Sequence, residues 1–335
     1  MPTRPNQPPQ KTITLLAPAR LHMGFFDLGG TLGRQFGSIG VGINEIYTRL
    51  EVSPASDWEA NGPGSEKALA LAQQLATRLE IPLKTRILLH ETIPEHAGLG
   101  SGTQLALATG LALIKLAGLD LNIRDIAPLL DRGARSGIGI AVFEQGGLIV
   151  DGGRNAHTAV PPLLCRLAMP ESWRFILVLD ERDQGLSGQH EVQAFKTLPP
   201  FPATLAAHIC HLVLMRALPA VVEQDLPAFG TAISEIQHLI GDYFAPAQGG
   251  RRYTSLRVAH TLDVLEKAGA VGIGQSSWGP TGFCMVADPE QAATLVQKTL
   301  DSFPPGDNPK LLIASPRNYG AGVEHTPITT EKNPG

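Results

Sequence analysis

Short runs rich in β-branched and aliphatic residues recur along the chain. Residues 13–16, 47–52, 85–89, 175–179, 282–286 and 311–314 predict strands. Between them, apolar positions spaced three and four apart predict helices. Residues 65–80 carry Leu69, Ala72, Leu75, Ala76 and Leu79 on one face, and the pattern stops before Pro82. Residues 105–117 are apolar almost all round, which predicts a buried helix closed by Gly118. Further helices are expected near 203–217, 227–240, 254–268 and 289–300. The stretch 24–42 holds too many glycines for a regular helix, since each costs roughly 1 kcal/mol there. Residues 137–151 read as two short strands around Gln145-Gly146-Gly147, and 241–252 reads as a loop. Helices and strands alternate, but hairpins are mixed in, so the expected class is α+β rather than a doubly wound parallel sheet.

Prolines at 161, 162 and 170 bracket a plausible division, giving an N-terminal domain at 12–168 and a C-terminal domain at 169–325. Residues 1–11 are expected to be a disordered tail and 326–335 a flexible one. The 335 residues are 43% hydrophobic and 17% charged, which supplies a sizeable core and excludes extended disorder. Net charge is −4 and aromatics are 5%, which argues against coating nucleic acid or an anionic membrane but leaves room for a local basic site. Cys165, Cys210 and Cys284 are scattered and form no CxxC, so neither a disulfide framework nor a zinc site is expected, and a reducing cytoplasm is the default. The most apolar segment, 105–119, is too short to span a membrane and carries Lys115. His208 and His211 share a helix without companion ligands, so no metal site is expected there.

The strongest chemical signal is Pro94-Glu95-His96-Ala97-Gly98-Leu99-Gly100-Ser101-Gly102-Thr103-Gln104, placed between a strand and a buried helix. Such a loop aims backbone N–H groups and a helix dipole at one point. Gly98, Gly100 and Gly102 permit close approach, while Ser101 and Thr103 add hydroxyls. This pattern suits a phosphate, although no Walker lysine follows. A structural strand-to-helix turn is the plainer alternative. A second signal is Arg20-Leu21-His22, followed by Asp27. On a strand Arg20 and His22 share one face, and a cation beside an imidazole suits an anionic substrate. The plainer alternative is a solvated strand end. Two further glycine-rich segments, from Arg135-Ser136 through Glu144 to Gly147 and from Gly272 through Ser276-Ser277 to Gly282, would line a ligand or form simple hairpins.

Together these motifs resemble the GHMP superfamily, named for galactokinase, homoserine kinase, mevalonate kinase and phosphomevalonate kinase. That resemblance implies an N-terminal domain like ribosomal protein S5 domain 2 and a ferredoxin-like C-terminal domain. Kinases of the family typically read GLGSS and SGID, where this chain has Gly102 and Gly139. Losing a metal ligand and the acidic partner of the nucleophile would cripple phosphoryl transfer. One branch departs in this way, the β-ribofuranosylaminobenzene 5′-phosphate synthases. The chain resembles it in ARLHMGFFDLGG (19–30), GRQFGSIGVGI (33–43), GLGSGTQLALA (98–108), RSGIGIAVFEQGGLIVDGG (135–153), GLSGQHEVQAF (185–195), SSWGPTGF (276–283) and PRNYGA (316–321). The resemblance implies a pentosyltransferase acting on phosphoribosyl pyrophosphate and 4-aminobenzoate or 4-hydroxybenzoate in tetrahydromethanopterin biosynthesis, with Mg²⁺ and a homodimer. Arg20, Arg34, Arg135, Arg154 and Arg317 are the expected charged clamps. Gly98 to Thr103, Arg135 and Ser136 would hold phosphate, and Ser276 and Ser277 would meet substrate. His22 would orient a phosphate or the benzoate carboxylate, and Asp27 or Glu144 would meet Mg²⁺ or the developing charge at C1. An ATP-dependent kinase of the same fold and a non-catalytic metabolite sensor remain as alternatives.

Overall fold

The computed structural model describes residues 11–180, 182 and 198–327. The 185–195 segment quoted above, residues 1–10 and residues 328–335 lie outside the described residues. Lys11, Thr326 and Pro327, expected in the tails, stand in strands.

The first sheet is built on a long antiparallel hairpin of β1 (Lys11–Asp27) and β2 (Phe36–Ala55). The outer edge of β2 serves several partners. Its later half pairs with β4 (Lys84–Glu91), which carries the short parallel β3 (Glu59–Asn61). Its earlier part pairs with β5 (Leu148–Asp151), which continues to β6 (Leu163–Leu167). The other edge of β1 takes β11 (Gly322–Pro327), so the chain's last described strand returns to the first sheet. Helices α1 (Ser65–Arg78), α2 (Ser101–Ala117), α3 (Ile123–Leu129) and α4 (Ile138–Gln145) belong to this part of the molecule.

The second sheet is antiparallel, in the order β10 (Lys310–Ala314), β7 (Arg174–Leu179), β9 (Gly282–Val286), β8 (Val271–Gln275). Along β7, Phe175 and Leu177 join the core shared with α5 (Ala203–Leu212) and α7 (Leu226–Phe244). Ile176 and Val178 point the other way, into a core with α8 (Leu256–Lys267) and α9 (Pro289–Asp301). Both faces are therefore buried, as the period of two along a strand requires.

The glycine-rich 24–42 stretch, expected only not to be a regular helix, is mostly strand, with a connection at 28–35. Its glycines serve close packing: a Cβ on Gly40 would lie 2.5 Å from the Leu21 carbonyl oxygen and 2.6 Å from Ile138 Cγ2. Residues 137–151 are helix α4 followed by β5, not two strands. Ile138, Ile140, Val142 and Phe143 are all buried, so the run shows neither a period of two nor one of 3.6. In place of the 241–252 loop, α7 runs on to Phe244 and a 3₁₀ turn spans Ala245–Gln248. The helix near 203–217 also continues. A π-helical segment Val213–Ala217 leads into α6 (Leu218–Glu223), and by length and composition Ala203–Glu223 could cross a membrane. Here Ile209, Leu212, Val213, Ala217 and Val221 pack into the core.

Gly40→Ala is expected to destabilise the fold by about 2 kcal/mol, the usual scale of overpacking a tight contact. Urea unfolding of the variant against the wild type measures it, and an unchanged midpoint would show that the strand yields easily.

Candidate active site

The functional segments meet where the two sheets adjoin. Gly98 is the meeting point. Its carbonyl accepts hydrogen bonds from the Ser276 hydroxyl (2.7 Å) and the Arg20 guanidinium. The Arg20 backbone N–H donates to the Leu99 carbonyl, and the His22 N–H to the Ser276 hydroxyl. Ser277 donates its N–H to the His22 carbonyl. Strand β1, the glycine-rich loop and the segment before β9 are thus laced together. A Cβ on Gly98 would stand 2.2 Å from the Ser276 carbonyl oxygen, so only glycine fits.

Two adjoining cavities open beside this junction. The smaller, about 220 Å³, is lined by His22, Phe25, Arg135, Ser136 and Gly139 among others. The larger, about 370 Å³, is lined by Lys67, His96, Gly98, Gly100, Ser101, Gly102 and Trp278 among others. Arg20, Thr103, Arg132 and Ser277 border both, so the two read as one cleft with a seam. The N-terminus of α2 faces the larger cavity. Its N-cap is Gly100, at φ 87°, and no side chain caps it, so the first-turn N–H groups and the dipole are directed at the cleft.

The structure brings Arg20, His22, Gly98, Gly100, Ser101, Gly102, Thr103, Arg135, Ser136 and Ser277 to the cleft. It does not bring the others there. Asp27 accepts from the N–H groups of Gly29 and Gly30 at 2.8 and 2.9 Å, which closes the turn after β1. Glu144 sits on helix α4 and pairs with Arg124 at 3.1 Å. Arg34 donates to the carbonyls of Gly152 and Gly153, and Arg154 to that of Ala134. Arg317 is buried, donating to Gly320 and Asn44 and stacking on Tyr319. Ser276 and Leu99 are buried, so Ser276 acts as a fastener, while Leu99 contributes its backbone. His208 pairs with Glu235 at 2.6 Å.

Arg132 and Asp151 carry weight here and were not singled out in the sequence. Arg132 lies three residues before Arg135 in the same glycine-containing loop, and that second cation was the available signal. Asp151 follows the apolar β5 run and is buried. It accepts hydrogen bonds from Ser38, Ser136 and the N–H groups of Gly137 and Gly153. Burial pushes its carboxyl up, although these hydrogen bonds pull it partly back. Ser136 is engaged by Ser38 and Asp151, and the start of α4 is answered by an internal acid. The N-terminus of α2 has no such neighbour in its first turn.

His22 is 3% exposed, and burial together with the Arg20 charge pulls its pKa down to about 3. It is neutral at ordinary pH and cannot pair with a carboxylate as a cation. Its ring lies 4.5 Å from that of Phe25. No cluster of three or more His, Cys, Asp or Glu side chains among the described residues is arranged to hold a metal ion.

A two-sheet α+β fold with a glycine-rich loop feeding a buried helix at the junction defines a GHMP-type protein. The family profile "GHMP kinases N terminal domain" matches residues 66–147, and "GHMP kinases C terminal" matches residues 217–303. Solved structures agree. Mevalonate diphosphate decarboxylase from Enterococcus faecalis superposes with a TM-score of 0.67 at 15% identity, covering 94% of this chain and 99% of that one. Homoserine kinase from Cytophaga hutchinsonii gives 0.62 at 14% identity, covering 97% and 100%. The beta-ribofuranosylphenol 5′-phosphate synthase of Methanothermobacter thermautotrophicus is 32% identical, over 92% of this chain and 98% of its own length. That of Archaeoglobus fulgidus is 33% identical, over 93% and 99%. The chain belongs to the GHMP superfamily and, within it, to the β-ribofuranosylphenol 5′-phosphate synthase family.

The depressed His22 pKa has a sign. The unfolded chain protonates this imidazole below about pH 6.5 and the native chain does not, so stability falls as pH drops from 6.5 towards about 3. His22→Gln is expected to remove up to about 1.4 kcal/mol per pH unit of that slope. Denaturant titrations of both proteins at about pH 4, 5 and 6 measure the difference. Parallel pH profiles would show that His22 titrates normally.

Proposed function

We propose that the protein transfers the 5-phosphoribosyl group of phosphoribosyl pyrophosphate to 4-hydroxybenzoate or 4-aminobenzoate, releasing CO₂ and pyrophosphate, in tetrahydromethanopterin biosynthesis. The observation that carries this reading is the full-length similarity to the two archaeal synthases, combined with a cleft suited to a polyanion. The phenol in the relatives' names favours 4-hydroxybenzoate. Gly102 and Gly139, in place of the kinase serine and aspartate, disfavour ATP-dependent phosphorylation. A Cβ on Gly139 would meet Thr103 Cγ2 at 3.1 Å, so the contact of α4 with α2 leaves little room for a carboxylate.

In this reading the bond from ribose C1 to pyrophosphate breaks as the ring carbon bearing the carboxylate attacks from the opposite face. The para hydroxyl or amino group supplies electron density. Loss of CO₂ returns the electron pair to the ring and restores aromaticity, so no decarboxylase cofactor is required. The protein's part is positioning and charge stabilisation. Arg20, Arg135, Thr103 and the α2 N-terminus would hold the phosphates, and Phe25 with neutral His22 would border the acceptor ring. Mg²⁺ would enter as the counter-ion of the donor. Asp27 and Glu144 are engaged elsewhere, and Mg²⁺ is commonly held by substrate phosphates plus few protein groups. The free cysteines suit a reducing cytoplasm.

The deciding experiment incubates the protein with phosphoribosyl pyrophosphate, Mg²⁺ and carboxyl-labelled 4-hydroxybenzoate or 4-aminobenzoate. Release of labelled CO₂ with stoichiometric pyrophosphate is expected. ATP-dependent phosphorylation of an alcohol without pyrophosphate release would overturn the reading. Gly100→Val is expected to weaken donor binding at least about tenfold, because Gly100 adopts a left-handed backbone and a Cβ there would crowd Arg20 Cγ at 3.2 Å. Calorimetry on the folded variant measures this, and unchanged affinity would make the loop purely structural.

A further inference from the structure

Arg132 is, with Arg20, one of the two arginines that border both cavities. It lies between α3 and α4 and borders both cavities at their seam. Its Nε is buried and hydrogen-bonds to nothing among the described residues. Arg20, Arg34, Arg154 and Arg317, by contrast, each donate to a backbone carbonyl. The neighbouring Asp131 carboxylate turns to Gln74 (3.1 Å) and Arg78 (3.5 Å). Burial lowers the Arg132 pKa, with Asp131 opposing the shift. A buried guanidinium N–H without an acceptor is costly, and an anion in the cleft would offset that cost.

A second observation gives the anion a place. A Cβ on Gly102 would lie 3.8 Å from Arg132 Nη1, so the guanidinium stands against the first turn of α2. That turn has no capping side chain. A cation and a positive helix end converge on the seam, and Arg20 borders it as well. Electrostatic preference is strongest for the most highly charged group. Arg135 borders the smaller cavity and not the larger one.

We propose that Arg132 binds the leaving pyrophosphate of the donor at this seam, and not its 5′-phosphate. The assignment rests on the phosphoribosyl transfer proposed above. As the C1–O bond breaks, its electron pair passes to the pyrophosphate oxygen, so the negative charge beside Arg132 grows towards the transition state. A contact of that kind acts on kcat more than on KM.

The test compares wild type, Arg132→Lys, Arg132→Gln and Arg132→Ala, each checked for folding by thermal melt. Calorimetry measures the binding of magnesium pyrophosphate and, separately, of ribose 5-phosphate, and steady-state kinetics gives kcat and KM. Arg132→Ala and Arg132→Gln are expected to weaken pyrophosphate binding by about 10- to 100-fold. Ribose 5-phosphate affinity should stay within about twofold, and kcat should fall more than KM rises. Arg132→Lys should recover part of the loss, because it keeps the charge without the planar fork. Unchanged pyrophosphate affinity in folded Arg132→Gln, no pyrophosphate binding by the wild type, or a loss confined to ribose 5-phosphate would each overturn the assignment. Pyrophosphate binding that depends on Arg132 in a protein that releases no CO₂ would instead keep the anion site and reject the proposed reaction.

Discussion

The doubly bonded carbonyl of Gly98 is the constraint on which the cleft depends. A carbonyl oxygen has two lone pairs, and here one meets the Arg20 guanidinium and the other the Ser276 hydroxyl. A hydrogen bond to a charged group contributes roughly 1.5–3 kcal/mol, and a neutral one roughly half that. The larger consequence is geometric. Arg20 comes from the first sheet, Ser276 from the segment joining strands of the second, and Gly98 from the loop between β4 and α2. Fixing these three segments at one atom sets the relation of the two sheets and the aim of the α2 N-terminus together.

Charge is distributed locally in a chain whose net charge is −4. Two helices begin at the cleft, and the fold treats them differently. The start of α4 is answered by buried Asp151, through the Gly137 N–H and the Ser136 hydroxyl. The start of α2 is left facing the cleft with Arg20 and Arg132 nearby. The attraction for an anion is therefore concentrated on one helix end. Neutral His22 fits the same design, since burial beside Arg20 removes its charge and leaves a flat, uncharged ring next to Phe25.

Glycine carries much of this arrangement through missing volume. Gly40 lets Ile138 of α4 approach β2, and Gly139 lets α4 approach Thr103 at the start of α2. The same closeness that leaves little room for an acidic side chain at 139 draws the 131–136 loop against the first turn of α2. Packing and chemistry are coupled there: the residues that permit helix–helix contact also decide which charges reach the seam.

Much was legible from the chain itself. Short β-branched and aliphatic runs gave β7, β9 and β10 nearly to their ends, helical spacing gave α1 and α9, an all-round apolar run gave most of α2, and the motif order pointed to the superfamily and its non-kinase branch. The glycine-rich loop was readable because its chemistry is local: backbone amides, small residues and the helix that follows lie within eleven residues. Helix α4 was not readable, because a short run buried on all sides has no polar face to reveal its period. The roles of Asp27, Glu144, Arg34 and Arg317 were not readable either. A charged side chain looks the same in sequence whether it meets a ligand, a turn amide or a carbonyl from the far end of the chain. Arg132 was hidden for the converse reason. Only the approach of the loop before α4 to the start of α2 places the half-buried Arg132 at the seam with its Nε buried and without an acceptor among the described residues, and that distance is set by tertiary packing.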